Sequence, residues 1–338
     1  MNWSLLGHEW AVDLLSQHVA QGQVRHAYLF TGPQGVGRRT LALRLAQALN
    51  CPQPTAPGQP CLTCNTCKRI WKMGYSDLNV VQAEQAGGTL KVEQVRELQH
   101  SLSLAPYEGR YRVALLLRFE EAHPSAANAL LKTLEEPAPQ VVLVLTAESA
   151  ESLLPTVVSR CEVLRLRPLG LDNLQAGLQT AWGLPTERAD LLAHLSSGRP
   201  GFALHLHENP DEMEQRQGRL EDLYRLLSAN RVKRFAYIEP LTKPGEKENL
   251  RLTLQTWLSF WRDVLLKAAG AGTPIVNLDW EYEIGQLSGS LNYQTAHGAT
   301  ACLERTLEQL DRNINARLAA EVLMLDLPKL PALERTVN

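Results

Sequence analysis

Hydrophobic and polar positions follow two alternating patterns in the first half of the chain. Short continuous apolar runs, typical of strands buried on both faces of a parallel sheet, alternate with segments whose apolar residues recur at helical spacing. The apolar runs cover residues 27–30, 112–117 and 141–146, and residues 78–81 and 161–166 are further strand candidates. Helices are predicted over residues 3–21, 41–49, 91–103 and 125–135. This order predicts a doubly wound parallel α/β domain that ends near Pro168.

The rest of the chain is predicted to be helical. A small helical domain covers residues 169–208 and is interrupted by Gly198-Arg199-Pro200-Gly201. A linker near residues 208–211 leads into an all-helical domain over residues 209–330, with Ile314 and Leu318 in its last amphipathic helix. Trp257 and Trp261 recur at helical spacing there, and such a stripe is usually core.

Composition narrows the function classes. The net charge of −2 over 338 residues gives no overall basic field, which argues against strong autonomous nucleic-acid binding. No apolar run approaches a membrane span, and the N-terminus lacks a basic-then-apolar signal pattern, so we expect a cytoplasmic protein.

A glycine-rich segment, Gly32-Pro33-Gln34-Gly35-Val36-Gly37-Arg38-Arg39-Thr40, lies between a predicted strand and a predicted helix. Gly32 and Gly37 have the spacing of a phosphate-binding loop, in which Lys and then Ser or Thr follow the second glycine. Arg38 and Arg39 occupy those two places, and a cation where the hydroxyl normally holds Mg²⁺ repels the metal. Thr40 is one residue too late. Gly32, Gly35, Gly37, Arg38, Arg39 and Thr40 therefore form a candidate nucleotide site that has lost its chemistry, with weak nucleotide binding left open.

Four cysteines lie within seventeen residues, spaced Cys51-x9-Cys61-x2-Cys64-x2-Cys67. Two overlapping C-x2-C steps with a fourth thiolate indicate a tetrahedral metal site, and four soft thiolates with no open position suit structural Zn²⁺. The alternatives are free thiols or a redox pair.

These features, together with two further segments, resemble one known family. The segments are Ala126-Ala127-Asn128-Ala129-Leu130-Leu131-Lys132-Thr133-Leu134-Glu135-Glu136-Pro137 and Ser159-Arg160-Cys161. With the glycine loop and the cysteines, they resemble the delta-prime subunits of the bacterial DNA polymerase III clamp loader, within the AAA+ superfamily. The Asn313–Leu318 stretch is similar to the last helix of that family's collar domain.

The resemblance implies an AAA+-type α/β domain over residues 1–168 with a zinc module inserted at residues 50–70. A helical lid domain at residues 169–208 and an oligomerisation collar at residues 209–330 would follow. The family's subunit does not hydrolyse ATP; it joins gamma/tau and delta subunits in a hetero-pentamer that loads a sliding clamp on primed DNA. By this resemblance Arg160, flanked by Ser159 and Cys161, is an arginine finger acting in trans.

Other positions also lack the residues that a working AAA+ ATPase uses for hydrolysis. Leu117 and Arg118 stand where the family's ATPases have Asp-Glu at the end of a strand, and Glu120 and Glu121 serve only if that strand extends through Phe119. The second sensor arginine falls on Gly201. Thr146 occupies the first sensor position, where we expect packing or a backbone hydrogen bond.

Two other functions remain as alternatives. An active gamma/tau-type clamp-loader ATPase carries the same cysteine module and Ser-Arg-Cys segment, but needs an intact loop and Asp-Glu pair. A stand-alone zinc-containing nucleic-acid-binding protein is disfavoured by the near-neutral charge.

Overall fold

A computed structural model describes residues 3–85, 88–312 and 314–331. Its sheet has five parallel strands, in the spatial order β2-β3-β4-β1-β5. They are β1 (Ala27–Thr31), β2 (Leu78–Val81), β3 (Arg112–Leu116), β4 (Val141–Ala147) and β5 (Glu162–Arg165). Every residue of β1, β3 and β4 is buried, which explains their continuous apolar runs. The predicted doubly wound parallel α/β fold is confirmed.

Six α-helices lie in this part of the described chain; four overlap the predicted helices, and the two short ones over Asn65–Trp71 and Pro155–Val158 were not predicted. They are α1 (Glu9–Ala20), α2 (Arg38–Asn50), α3 (Asn65–Trp71), α4 (Val92–Leu102), α5 (Pro124–Glu135) and α6 (Pro155–Val158). The prediction of a helix from residue 3 was wrong, because Gly7 and His8 have positive φ values of 75° and 60°. A left-handed backbone at two successive residues cannot continue a right-handed helix.

The remaining helices are α7 (Leu171–Trp182), α8 (Thr186–Ser196), α9 (Pro200–Glu208), α10 (Pro210–Ser228), α11 (Arg231–Leu241), α12 (Lys247–Ala268), α13 (Glu281–Ser290), α14 (Tyr293–Asp311) and α15 (Ala316–Asp326). The Trp257 and Trp261 side chains are fully buried, as predicted for a core stripe. Asn313 of the last-helix segment lies outside the described residues, but α15 begins where that segment predicts, and the Asn315 side chain caps it by accepting from Leu318 N at 3.1 Å.

The chain divides into two compact units. One comprises Met1–Gly183 with Gly198–Phe202, and the other comprises Leu184–Ser197 with Ala203–Asn338. The three-domain division remains a prediction. Among the described helices, none is long and apolar enough to cross a membrane.

A buried carboxylate fixes the loop before β3. Asp77 is fully buried and accepts backbone N–H bonds from Tyr107, Glu108 and Gly109 at 2.7–2.8 Å. Its charged partner is Arg112, whose Nη2 lies 3.3 Å from Asp77 Oδ1 and whose side chain is 8% exposed. Burial acts to raise the pKa of Asp77, but these hydrogen bonds outweigh it and hold the pKa below its usual value.

We expect Asp77→Asn to lower the free energy of unfolding by about 3 kcal/mol, because it leaves Arg112 buried without a counter-charge. The folded-state pKa is depressed, so this stabilisation is present above the unfolded carboxyl pKa of about 3.9 and is lost as pH falls through the lower folded value. Urea unfolding at neutral and acidic pH measures both effects. The exposed Asp13→Asn is the control, and equal stability of the two variants would contradict the prediction.

Candidate functional site

The glycine loop connects β1 to α2 in the predicted order. Gly32, Gly35 and Gly37 have φ values of 145°, 83° and 114°, which side chains rarely tolerate. Arg38 is the first residue of α2, and Arg39 and Thr40 follow in its first turn. The segment therefore forms a glycine-rich turn between a strand and a helix, with Arg38 and Arg39 where a phosphate-binding loop has Lys and then Ser or Thr.

Other parts of the same unit bind this loop directly. Gly201 N donates to Gly35 O at 2.8 Å, and a Cβ on Gly201 would lie 2.9 Å from that same oxygen. A Cβ on Gly35 would lie 2.9 Å from Phe202 N. His8 Nε2 is 3.0 Å from Val36 O. The position expected for a second sensor arginine is thus a close backbone contact with the loop, where no side chain fits without a shift.

Arg38 is a buried charge, only 8% exposed. Burial lowers its pKa, and the carboxylates of Glu120 and Glu148 act against that change. Burial raises the pKa of Glu120, and the positive charge of Arg38 acts to lower it. Arg38 Nη1 and Glu120 Oε2 are both buried without a hydrogen-bond partner among the described residues. The Glu120 and Glu148 carboxylates therefore offset only part of the burial penalty of the guanidinium.

The end of β3 lacks the metal-binding pair of an AAA+ ATPase. The strand stops at Leu116, and Arg118 has a left-handed φ of 49°. Phe119–Glu121 then forms a short 3-10 turn, so the strand does not extend through Phe119, and the condition for Glu120 and Glu121 to act is not met. Thr146 makes the expected backbone hydrogen bond, since its Oγ1 accepts from Arg118 N at 3.0 Å.

The four predicted metal ligands meet at one point. Their sulfur atoms all lie within 4.8 Å of one another. Cys51 and Cys61 Sγ are 3.5 Å apart, and Cys61 and Cys67 Sγ are 4.0 Å apart. A tetrahedron of thiolates bound at about 2.3 Å has sulfur–sulfur edges of about 3.8 Å, so the arrangement fits Zn²⁺.

Backbone amides support the same cluster. Cys61 N, Cys64 N and Cys67 N lie 3.3–3.4 Å from the sulfurs of Cys51, Cys61 and Cys64. Burial acts to raise the pKa of the Cys61 thiol, yet amide donation outweighs it and lowers that pKa to about 6. Burial, above all, raises the pKa of Cys67. The protein therefore stabilises the thiolate form of Cys61 but not that of Cys67, and a bound cation would favour the thiolate form of all four cysteines.

Two side chains of α2 hold the cysteine module. Gln47 Nε2 donates to Cys67 O at 2.7 Å, and the Arg44 guanidinium lies 4.5 Å from the Trp71 ring centre. Cys51 itself caps the C-terminal end of α2. The same helix therefore starts at the glycine loop and ends at a metal ligand.

Ser159-Arg160-Cys161 follows the short helix α6. Arg160 Nη1 donates to Thr156 O at 2.9 Å, and Nη2 lies 2.6 Å from Glu135 Oε1. The Arg160 side chain is 34% exposed and that of Glu135 is 51% exposed. Burial raises the pKa of the Cys161 thiol to about 12, which argues against a reactive cysteine.

Sequence reasoning missed several residues of this site. His8, Phe202 and Arg44 all act on the loop or the cysteine module from distant parts of the sequence, and no local motif marks them. Glu135 lies in the segment that carried the family resemblance, but the sequence gives no sign that it contacts Arg160. The loop, the cysteines and Ser-Arg-Cys lie in the same compact unit.

Comparison with known proteins identifies the relatives of this chain. Residues 7–170 match the family described as "DNA polymerase III, delta subunit", and residues 210–329 match "DNA polymerase III, delta subunit, C terminal". The Bacillus subtilis DNA polymerase III subunit delta' is 29% identical over 93% of this chain and 94% of its own length. The Pseudomonas aeruginosa protein of the same name is 38% identical over 65% of this chain and 67% of its own length.

The similarity also extends to relatives named as tau and gamma subunits, but over a smaller part of each chain. Escherichia coli DNA polymerase III subunit tau is 34% identical over 175 residues, which are 52% of this chain and 27% of that protein. The delta' relatives, by contrast, match along both units. Taken with the two family matches, these similarities show that the chain belongs to the delta-prime family of bacterial DNA polymerase III subunits.

Proposed function

We propose that this chain is a clamp-loader subunit that does not hydrolyse ATP and presents Arg160 to ATP held by a neighbouring subunit. The observation that carries the first part is the pair Arg38-Arg39 at the glycine loop. Hydrolysis requires Mg²⁺ bound by a hydroxyl at the second of these positions and by an acidic residue at the end of β3. Arg39 and Leu117 provide neither ligand, and Arg38 adds a buried positive charge beside the loop.

The purified chain is expected to show no MgATP hydrolysis above the rate of an Arg38→Ala, Arg39→Ala double variant. Equal small rates in both proteins identify a contaminant, so this comparison controls the assay. A second variant, Arg38→Lys with Arg39→Thr, restores the loop motif but should stay inactive, because Leu117 and Arg118 still replace the acidic pair. Turnover by the unaltered chain that disappears in the double alanine variant would contradict the proposal and favour the gamma/tau-type ATPase, which the similarity to tau keeps as the second candidate.

The position of Arg160 supports a role in trans. The residue follows the end of α6, with its side chain partly exposed and paired to Glu135. Ion pairs between exposed groups contribute little net stability, so Arg160 can exchange Glu135 for another anion at small cost. Guanidinium suits the γ-phosphate because it stays charged and donates through a planar fork.

The cysteine module supports a structural metal. Cys51, Cys61, Cys64 and Cys67 would bind Zn²⁺ with no open coordination position, and the metal would supply charge balance and cross-linking rather than catalysis. The metal links the end of α2 to α3, which are joined otherwise by the proline- and glycine-rich residues 52–60.

The partners follow from the relatives' names and from the resemblance. We propose assembly with gamma/tau and delta subunits, with helices α10–α15 forming the collar, in a complex that loads a sliding clamp on primed DNA. Native mass spectrometry of this chain mixed with those partners tests the assembly, and failure to form any mixed species would contradict it.

A further inference from the structure

One long segment of the sequence carries positive charge only. Between Asp13 and Asp77 there is no Asp or Glu in 63 residues, in a chain with 36 of them. Seven cations lie in that segment: Arg25, Arg38, Arg39, Arg44, Lys68, Arg69 and Lys72. The net charge of −2 for the whole chain hides this asymmetry.

Folding neutralises some of these cations and not others. Arg25 pairs with Glu162 at 3.1 Å, and Arg69 pairs with Glu108 at 2.8 Å. Arg38 is only 8% exposed, so it adds little charge to the surface. Arg39, Arg44, Lys68 and Lys72 have no carboxylate within 4.0 Å in the part of the chain that the structure describes; all four lie on α2, on α3 or next to them.

Contacts between the two helices gather these residues around an exposed tryptophan. Arg39 Nη2 lies 3.3 Å from Met73 Sδ, just after α3, and Arg44 lies over Trp71. Trp71 is 45% exposed. Lys68 is exposed and lies three residues before Trp71 on α3, the spacing of neighbours on one helix face, and the exposed Lys72 directly follows the helix. We name Arg39, Arg44, Lys68, Trp71 and Lys72 the α3 cationic surface.

The cations of this surface have two physical roles. Arg44 packs against one face of the indole, so it holds Trp71 in place beside the cysteine module. Arg39, Lys68 and Lys72 remain as exposed cations around the ring. An acidic peptide would need only the charges, whereas an indole set among cations also offers a surface on which bases stack.

We propose that the α3 cationic surface binds single-stranded nucleic acid, with a base stacked on Trp71 and backbone phosphates paired to Arg39, Lys68 and Lys72. This goes beyond the proposed function and does not depend on it, because the surface does not include Arg160 and its binding requires no ATP. Sequence spacing alone does not show the site, since Arg39 and Arg44 come from a different helix than Trp71.

Fluorescence anisotropy of the full-length, zinc-supplemented chain with a labelled oligothymidylate of about 20 nucleotides tests the proposal. We expect Trp71→Ala to weaken binding roughly 5- to 150-fold, the loss of one stacked base. Three phosphate contacts predict a slope of log K against log salt of about −2, and Lys68→Gln with Lys72→Gln should bring it to about −0.7.

Matched controls separate this site from general effects. Trp182→Ala removes a tryptophan of equal exposure, 44%, and Arg231→Gln with Lys233→Gln removes two exposed cations of α11; neither should change affinity or slope. Circular dichroism and zinc content establish that each variant is folded. No binding by the unaltered chain at low salt, unchanged binding by the folded Trp71→Ala variant, or equal competition by polyglutamate would each overturn the proposal, the last in favour of an acidic protein partner.

Discussion

Replacing Arg160 by alanine is expected to slow ATP hydrolysis at the adjoining subunit's site by about 10³-fold, while the clamp-loader complex still assembles. An arginine finger neutralises charge that develops on the γ-phosphate, and its removal leaves that charge unpaired in the transition state. Assembly should persist because Arg160 is exposed and its ion pair with Glu135 contributes little to folding.

Single-turnover hydrolysis by the reconstituted complex resolves the affected site from the others. Arg160→Lys should recover only part of the rate, because an ammonium keeps the charge but lacks the forked donors. Arg165→Ala is the matched control, since Arg165 is an exposed arginine of the same unit, 3.6 Å from Glu151. If Arg160→Ala and Arg165→Ala turn over ATP equally, Arg160 is a surface arginine and the trans role is wrong.

Loss of the metal is expected to have the largest effect on stability. Cys67→Ser should remove one equivalent of zinc per chain and loosen the segment from Cys51 to Tyr75, lowering the free energy of unfolding by several kcal/mol. Structural zinc sites bind with about 10–16 kcal/mol in isolated fingers, and only part of that is lost here because the sheet keeps its own core. Four thiolates within 4.8 Å of one another, with Cys51 at the C-terminal end of α2, would repel one another and the helix dipole, so without a cation the cysteines would take up protons and no longer cross-link the segment.

Metal analysis and hydrogen exchange measure the two consequences separately. Cys302→Ala is the control, because Cys302 is a buried cysteine of α14 that belongs to the other unit. It should keep the zinc and the protection of residues 51–75. Full metal content in Cys67→Ser would show that the four cysteines are not the ligand set.

The strands of the α/β domain were predictable because each is buried on both faces and reads as an uninterrupted apolar run. The first helix was predicted to begin too early because Leu5 and Leu6 continue its apolar pattern. The left-handed backbone at Gly7 and His8 prevents the helix from beginning before Glu9. The spacing of hydrophobic residues indicates which side chains are buried, but it does not indicate the backbone conformation of those residues.

The cysteine spacing, the altered glycine loop and the missing acidic pair after β3 are properties of the sequence by itself, because residues close along the chain set the chemistry of each. Only the tertiary structure placed Gly201 and Phe202 against Gly35, Glu135 beside Arg160, and Arg44 over Trp71. These partners are separated by 25 or more residues, and their contacts depend on how the helices pack around the sheet. The spacing of residues along the chain carries no information about such packing. The altered residues of the loop could therefore be identified from the sequence, whereas the contacts around Arg160 and Trp71 could not.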